Sequence, residues 1–157
     1  MRRAVRLVGG LLDELGLTTY LKTTGSRGYH VLVPLRPSLS FDDVREFARG
    51  CAEVLAARAP EVVTAEVRKA KRGDRVYLDI ARNGYGQTAV PAYAVRARPG
   101  APVSTPITWD ELSRVQPDQF TVTSVRRRLA RRPCPWADVR KHAQGLGKAR
   151  KALAALS

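Results

Sequence analysis

The sequence predicts an α/β fold, a mixed sheet flanked by helices, in a single domain over residues 1–157. Three observations predict it. Residues 19–33 alternate apolar and polar side chains on either side of a glycine turn, the pattern of two strands joined by a tight connection. Residues 41–56 repeat apolar positions at helical spacing, and residues 75–80 alternate again after them. With 157 residues, 44% of them hydrophobic, the chain is long enough to bury a core.

In chain order, Arg3 to Leu15 reads as an amphipathic helix: Val5, Val8, Leu11, Leu12 and Leu15 share a face, and Gly16 is placed to end it. Gly9 and Gly10 weaken its middle. A chain that opens directly on a core-facing helix is expected to be the later part of a larger domain. Thr19, Tyr20 and Leu21 then lead into K-T-T-G-S-R-G-Y-H-V-L-V, residues 22–33, which stops at Pro34. Gly25 and Gly28 admit positive φ and close backbone approach, so peptide N–H groups can face an anion. Thr24, Ser26, Arg27 and His30 add hydroxyl, guanidinium and imidazole donors, a set suited to a triphosphate or a nucleic-acid backbone. A plain hairpin with a polar tip fits the same residues.

Ser40 is placed to cap the long helix, with Asp42 and Asp43 in its first turn; Phe41, Val44, Phe47, Ala48, Cys51, Leu55 and Ala56 form its buried stripe, and Ala59-Pro60 ends it. The run V-R-K-A-K-R-G-D-R offers Lys69, Lys71 and Arg72 to phosphates or simply to solvent. In the strand at 75–80, Val76, Leu78 and Ile80 take one face, Tyr77 and Asp79 the other. A turn at Gly84 and Gly86 follows, then short strands over 88–95 broken at Pro91, and a proline-rich loop at 96–106 without regular structure. Thr108 is read as the cap of a short helix, 109–115, and Thr123 as the cap of a basic helix, Ser124 to Arg131, stopped by Pro133. Trp136, the pair Leu146 and Ala149, and the pair Leu153 and Leu156 suggest two small packing helices, the last in a basic tail at 141–157.

Lysine and arginine number 28 against 14 acids, a net charge of +14, which implies a polyanionic partner. A GC-rich coding bias also raises arginine, but the excess is clustered. From residue 122 onward there are ten basic residues, Arg126 and Arg127 among them, and a single acid, Asp138. That clustering favours nucleic acid. No run approaches the roughly 20 apolar residues of a membrane span, and the N-terminus lacks a signal-peptide core. Cys51 and Cys134 have no metal-ligand spacing, which points to a reducing, cytoplasmic setting. G-S-R-G is flanked by strand patterns rather than helices, against an RNA-clamping KH loop, and no Lys-Ser/Thr follows it, against a Walker A loop.

Asp79 at a strand end, the glycine turn and nearby arginines are parts that metal-assisted nucleotidyl transfer uses. One carboxylate is not enough for a two-metal site, and Asp13 with Glu14 make no D-x-D pair. Each residue also has a plainer reading: Asp79 paired with Arg82 or Arg96, His30 packed in the core, Trp109 and Trp136 as packing residues.

Three separated stretches, K-T-T-G-S-R-G-Y-H-V-L-V-P-L, K-A-K-R-G-D-R-V-Y-L-D-I-A-R-N and A-Y-A-V-R-A-R-P-G-A-P-V-S-T-P-I-T-W-D-E-L, resemble the polymerase domain of bacterial ligase D, of the archaeo-eukaryotic primase superfamily. The resemblance covers residues 1 to about 140 and fits the C-terminal half of that domain. It implies a DNA repair polymerase or primase module of non-homologous end joining, using manganese or magnesium, a nucleoside triphosphate, and DNA ends or gapped DNA. It further implies that Thr24 (usually Ser), Arg27 (usually Lys) and His30 grip the triphosphate, with Ser26 in the same turn. Asp79 would be a metal-binding catalytic carboxylate, and Arg82, Arg96 and Arg98 would contact phosphates. The family's D-x-D motif is absent, so the missing aspartates are expected either from a separate N-terminal polymerase half or from coding sequence upstream of a mis-assigned start; a ligase domain and the end-binding protein Ku are further partners that the resemblance implies. Little nucleotide addition is expected of the chain alone; a non-catalytic nucleotide- or DNA-binding remnant is the alternative.

Overall fold

In the computed structural model, which describes residues 1–156, an apolar stripe at helical spacing forms helix α1 (Arg2–Glu14), burying Ala4, Val5, Leu11 and Leu12. Gly9 has a packing reason to be there. A Cβ at this position would run into the Trp109 ring, so the glycine lets the indole lie against the helix. Helix α2 (Phe41–Arg58) starts where expected: the Ser40 hydroxyl accepts the Asp43 N–H at 3.1 Å, and the Asp43 carboxylate accepts the Ser40 N–H at 3.1 Å. This reciprocal cap satisfies two N–H groups that the helix itself cannot. Phe41 departs from the expected stripe. At the first helical position it lies outside the core, 57% exposed, and its ring meets Tyr85 edge-on at 5.6 Å.

Two strands, β1 (Tyr20–Thr23) and β2 (Tyr29–Leu32), pair antiparallel around the turn at 24–28, with Lys22 opposite His30. Two others, β3 (Val63–Thr64) and β4 (Val76–Tyr77), form a separate parallel ladder. The last, β5 (Pro106–Ile107), adds to the free side of β1 and gives the order β2-β1-β5. The strand expected at 75–80 is thus only two residues long; the Leu78 N–H still donates to the Thr64 carbonyl at 2.9 Å, and the chain then enters a 3-10 helix at Ala81–Asn83. No strand forms over 88–95, where the only ladder contact is a bridge from Val95 to Val103. The proline-rich segment, in contrast, is structured. Residues 102–107 are all buried and end in β5, whose proline is its first residue, a position that tolerates a missing N–H.

The short helix expected at 109–115 is a single 3-10 turn, Asp110–Ser113. Helix α3 (Val122–Arg131) is capped by Thr121 rather than Thr123, since Ser124 stands three residues on and closes the reciprocal bond. A 3-10 turn at Val139–His142 and helix α4 (Gly147–Ala154) follow. One apolar cluster joins α1, α2 and α4 through Leu11, Leu12, Phe47, Leu55, Leu146 and Leu153. A second lies around the sheet, with Val5, Leu21, Val103, Ile107, Phe120 and Val125. Among the described residues no helix is long and apolar enough to cross a membrane. The fold class read from sequence holds: α/β, with its strands divided between two small sheets.

Candidate functional site

The turn at 24–28 is closed by its own polar groups. The Thr24 N–H donates to the Gly28 carbonyl at 3.0 Å, and the Thr24 hydroxyl donates to that carbonyl at 2.8 Å while accepting the Gly28 N–H at 3.2 Å. The Gly25 N–H reaches the Pro117 carbonyl at 2.9 Å. Three of the turn's amides are therefore occupied, and those of Ser26 and Arg27 have no protein acceptor among the described residues. Gly25 has φ +63°, and a Cβ there would come within 2.7 Å of Arg96 Cγ and 3.1 Å of the Ser104 nitrogen. Glycine is required at that position both for conformation and for space. Gly28 differs from expectation: its φ is not positive and its surroundings are open.

Behind this turn four charged or titratable groups converge. Arg96 Nη1 donates to the Thr24 carbonyl at 2.9 Å, fixing the guanidinium to the turn. His30 stands on β2 opposite Lys22 on β1, a cross-strand pair sharing one face of the sheet. Burial, helped by the Lys22 and Arg96 cations and opposed by Asp79, pushes the His30 imidazole down to about 4. His30 is therefore neutral near pH 7, with one N–H to donate. Asp79 lies close enough to act on His30 but is itself half-exposed; its carboxylate accepts the Ala81 N–H at 3.2 Å and sits 3.7 Å from Arg82 Nε. So the structure brings together His30, Arg96, Asp79 and Arg82, and places Thr24 in the backbone that holds them.

Lys22 belongs to this group and was not among the residues singled out from sequence. It is 4% exposed, its Nζ donates to Ser104 Oγ at 2.7 Å, and Ser104 in turn donates to the Thr23 carbonyl at 2.8 Å. Burial, with Arg96 adding to it, pushes the ammonium down to about 8. Nothing in the residue itself announces this, because lysine is seldom buried. The available signal was spacing: seven residues separate Lys22 from His30, and a tight turn between them folds the two into register.

Other sequence-predicted residues lie elsewhere. Ser26 and Arg27 line a depression with Arg2, Tyr29, Gln116 and Asp118. The Arg98 side chain is exposed and bonds to none of the clustered groups; its N–H donates to the Arg96 carbonyl at 2.8 Å. Lys69 and Lys71 are exposed on a 3-10 turn, while Arg72 folds back on its own segment, donating to the Glu66 carbonyl at 2.9 Å and the Val67 carbonyl at 2.7 Å, over the Tyr77 ring at 3.9 Å. Arg126 and Arg127 are exposed on α3. That helix is pinned by the buried Glu111, whose carboxylate takes both terminal nitrogens of Arg128 at 2.7 and 2.6 Å. Both tryptophans are packing residues with satisfied N–H groups: Trp109 donates to Thr19 O at 3.3 Å and Trp136 to Leu21 O at 3.1 Å. Cys51 is buried, which pushes its thiol up to about 11 and leaves it unreactive.

Asp79 is the one carboxylate beside His30, and among the described residues no group of three His, Cys, Asp or Glu stands together as a metal cage. These residues do not by themselves fit a divalent metal centre.

Comparison with known proteins gives a consistent result. The family model described as the LigD primase-polymerase domain matches residues 1–136. The multifunctional non-homologous end joining protein LigD of Pseudomonas aeruginosa is 40% identical over 141 residues, 88% of this chain and 17% of that protein. The bifunctional LigD of Bacillus subtilis is 31% identical over 136 residues, 85% of this chain and 22% of that one. Among solved structures, the polymerase domain of Mycobacterium tuberculosis ligase D, in complex with DNA, superposes with a TM-score of 0.83 at 29% identity, covering 90% of this chain and 50% of that chain. The chain thus spans about a fifth of these curated relatives and half of the solved domain.

Proposed function

Because the chain belongs to the LigD primase-polymerase domain family, we propose that it carries the triphosphate-binding part of a DNA repair polymerase of bacterial non-homologous end joining. The observation that carries this reading is the convergence of Arg96, Arg82, His30 and Asp79 behind the Gly25 turn. In nucleotidyl transfer a primer 3′-hydroxyl attacks the α-phosphorus, the new phosphodiester bond forms, the bond to the bridging oxygen breaks and pyrophosphate leaves. The charge that develops on the departing phosphates needs fixed cations and donors, arranged beforehand. Arg96 and Arg82 supply the cations. Neutral His30 supplies one N–H to a phosphate oxygen, Thr24 holds the turn in shape, Ser26 and Arg27 offer amides and side chains at the tip of the turn, in the depression beside Arg2 and Tyr29 rather than within this cluster, and Arg98 lies at the periphery.

The family implies manganese or magnesium, which would neutralise the triphosphate and activate the attacking hydroxyl. With Asp79 alone present, no step is assigned to a metal on these residues. The further carboxylates would come from outside them, and the isolated chain adds little nucleotide. The ion pair between Asp79 and Arg82 favours the second reading, a module that binds nucleotide or DNA without chemistry. Lys69, Lys71, Arg126 and Arg127 are the side chains offered to DNA phosphates, with Arg72 shaping the loop beside the first two. DNA ends, an N-terminal polymerase half, a ligase domain and Ku are the partners, in the cytoplasm at the nucleoid.

Nucleotide addition to gapped DNA carrying a 5′-phosphate, with manganese, tests this. The chain is compared with a version extended upstream to include a D-x-D segment. Addition by the extended version alone supports the polymerase reading. Triphosphate binding without addition by either supports the binding module, and robust addition by residues 1–157 overturns the dependence on outside carboxylates.

A further inference from the structure

Lys22 is an unusual charge. It occupies the middle strand of the three-stranded sheet, between His30 on β2 and Pro106 on β5, and is 4% exposed. An ammonium has three N–H donors; here the one protein acceptor is Ser104 Oγ at 2.7 Å. Among the described residues no carboxylate pairs with it, and the charge that acts on it is another cation, Arg96. A buried ion without a counter-charge is costly, and folds retain one only where something returns the cost. The apolar residue that would cost nothing is absent from a position where the flanking residues, Leu21 and Thr23, are fully buried.

Its surroundings indicate what returns it. Arg96 is tied to the Thr24 carbonyl, two residues from Lys22 on one side and two and three residues from Ser26 and Arg27, whose amides have no protein acceptor, on the other. Ser104, which holds Lys22, also touches the turn: its backbone nitrogen would lie 3.1 Å from a Cβ on Gly25. The ammonium is therefore fixed to the same few atoms that shape the turn, and it faces the same side as His30.

We propose that Lys22 is a positioning residue for polyphosphate: a buried, permanently placed cation that, with Arg96, sets the charge against which a triphosphate, rather than a monophosphate, is held. Lys22 does not need to touch the ligand. Its ammonium is nearly inaccessible and acts through the field it adds beneath His30 and Arg96, where low polarisability lets a charge reach further than it would in water. The repulsion between Lys22 and Arg96 is relieved when several negative charges arrive. This inference rests on the triphosphate-binding reading above and names a residue that determines its selectivity.

The test uses Lys22→Met, which keeps length and removes charge, and Lys22→Gln, which keeps a donor to Ser104 and removes charge. Calorimetric titration of the whole chain with ATP and with AMP is paired with thermal unfolding. In both variants ATP affinity is expected to fall about tenfold, the size of one charge–charge interaction at roughly 10 Å in a protein-like dielectric. AMP brings roughly half the phosphate charge, so its affinity is expected to fall only about threefold. The melting temperature of Lys22→Met is expected to stay level or rise, since a buried uncompensated charge has gone. A merely structural lysine would show the opposite pattern: a lower melting temperature, and ATP and AMP weakened alike. Wild-type ATP affinity in either folded variant overturns the assignment of Lys22 alone. No ATP binding by the wild-type chain overturns the triphosphate site itself, and Lys22's role with it.

Discussion

Replacing Glu111 by glutamine should destabilise the fold severely, and the structure sets the size of the effect. The Glu111 side chain is 3% exposed and accepts five hydrogen bonds: two from Arg128, one from Arg132 at 3.0 Å, and two from the N–H and hydroxyl of Thr108 at 3.0 and 3.2 Å. Arg128 is 8% exposed, so its charge has nowhere else to go. The hydrogen bonds from Arg128 hold the Glu111 carboxyl down to about 2, from an ordinary 4.5, against the opposing effect of burial. That difference corresponds to about 3 kcal/mol, and leaving a buried partner charge unpaired typically costs about 3–5 kcal/mol. Arg132 is half-exposed and adds little. Urea unfolding of wild type and Glu111→Gln at pH 7 should differ by about 3–5 kcal/mol. The sign of the pH dependence is fixed: the unfolded carboxyl takes up its proton first, so this stabilisation is complete above pH 4.5 and is lost as pH falls toward 2. The gap between the two proteins should narrow over that range. A difference under about 1 kcal/mol at pH 7, or one indifferent to pH, refutes the clamp.

Two glycines of the same turn should respond differently. Gly25→Ala forces a Cβ into Arg96 and the 103–104 backbone at positive φ, and should cost about 2–3 kcal/mol in denaturant unfolding while weakening ATP binding, whereas Gly28→Ala should stay within about 0.5 kcal/mol and bind normally. Equal effects would mean the turn is not built as described. Ser40→Ala removes the cap of α2 and should lower stability by about 1 kcal/mol without altering ATP affinity, checked by the same two assays. His30 contributes a second acid-sensitive window. Its folded value of about 4 lies below the ordinary 6.5, so the unfolded imidazole protonates first, and stability is lost as pH falls from 6.5 toward 4. His30→Gln should flatten the pH dependence of the melting temperature there; an unchanged slope would count against a buried neutral imidazole.

Helices α1 and α2 were legible because apolar periodicity over many residues leaves few alternatives, and Ser40 with Asp43 marked the start of α2. Phe41 misled because periodicity extends a stripe to the end of a helix, while the core stops one turn short. Thr121 and Thr123 are equally good caps by type; the third residue on, Ser124 against Arg126, was the distinguishing signal. Strand β5 was hidden by proline and by its length of two residues, since tertiary pairing with Leu21 and Lys22, not local preference, makes it a strand. At the site, the glycine turn, His30 and Asp79 stood out from the residues themselves, whereas Arg96 entered through the family resemblance. The internal use of the Thr24 hydroxyl and the burial of Lys22 could not, because both depend on which groups a short turn leaves facing one another.

The most direct measurement is an amide NMR titration of the chain with ATP. The largest shifts are expected at residues 22–30, 80–84 and 94–96, around the Gly25 turn, with α3 and α4 barely moving. Saturating shifts confined to α3 and the arginines beside it, or none at any residue of the turn, would contradict it.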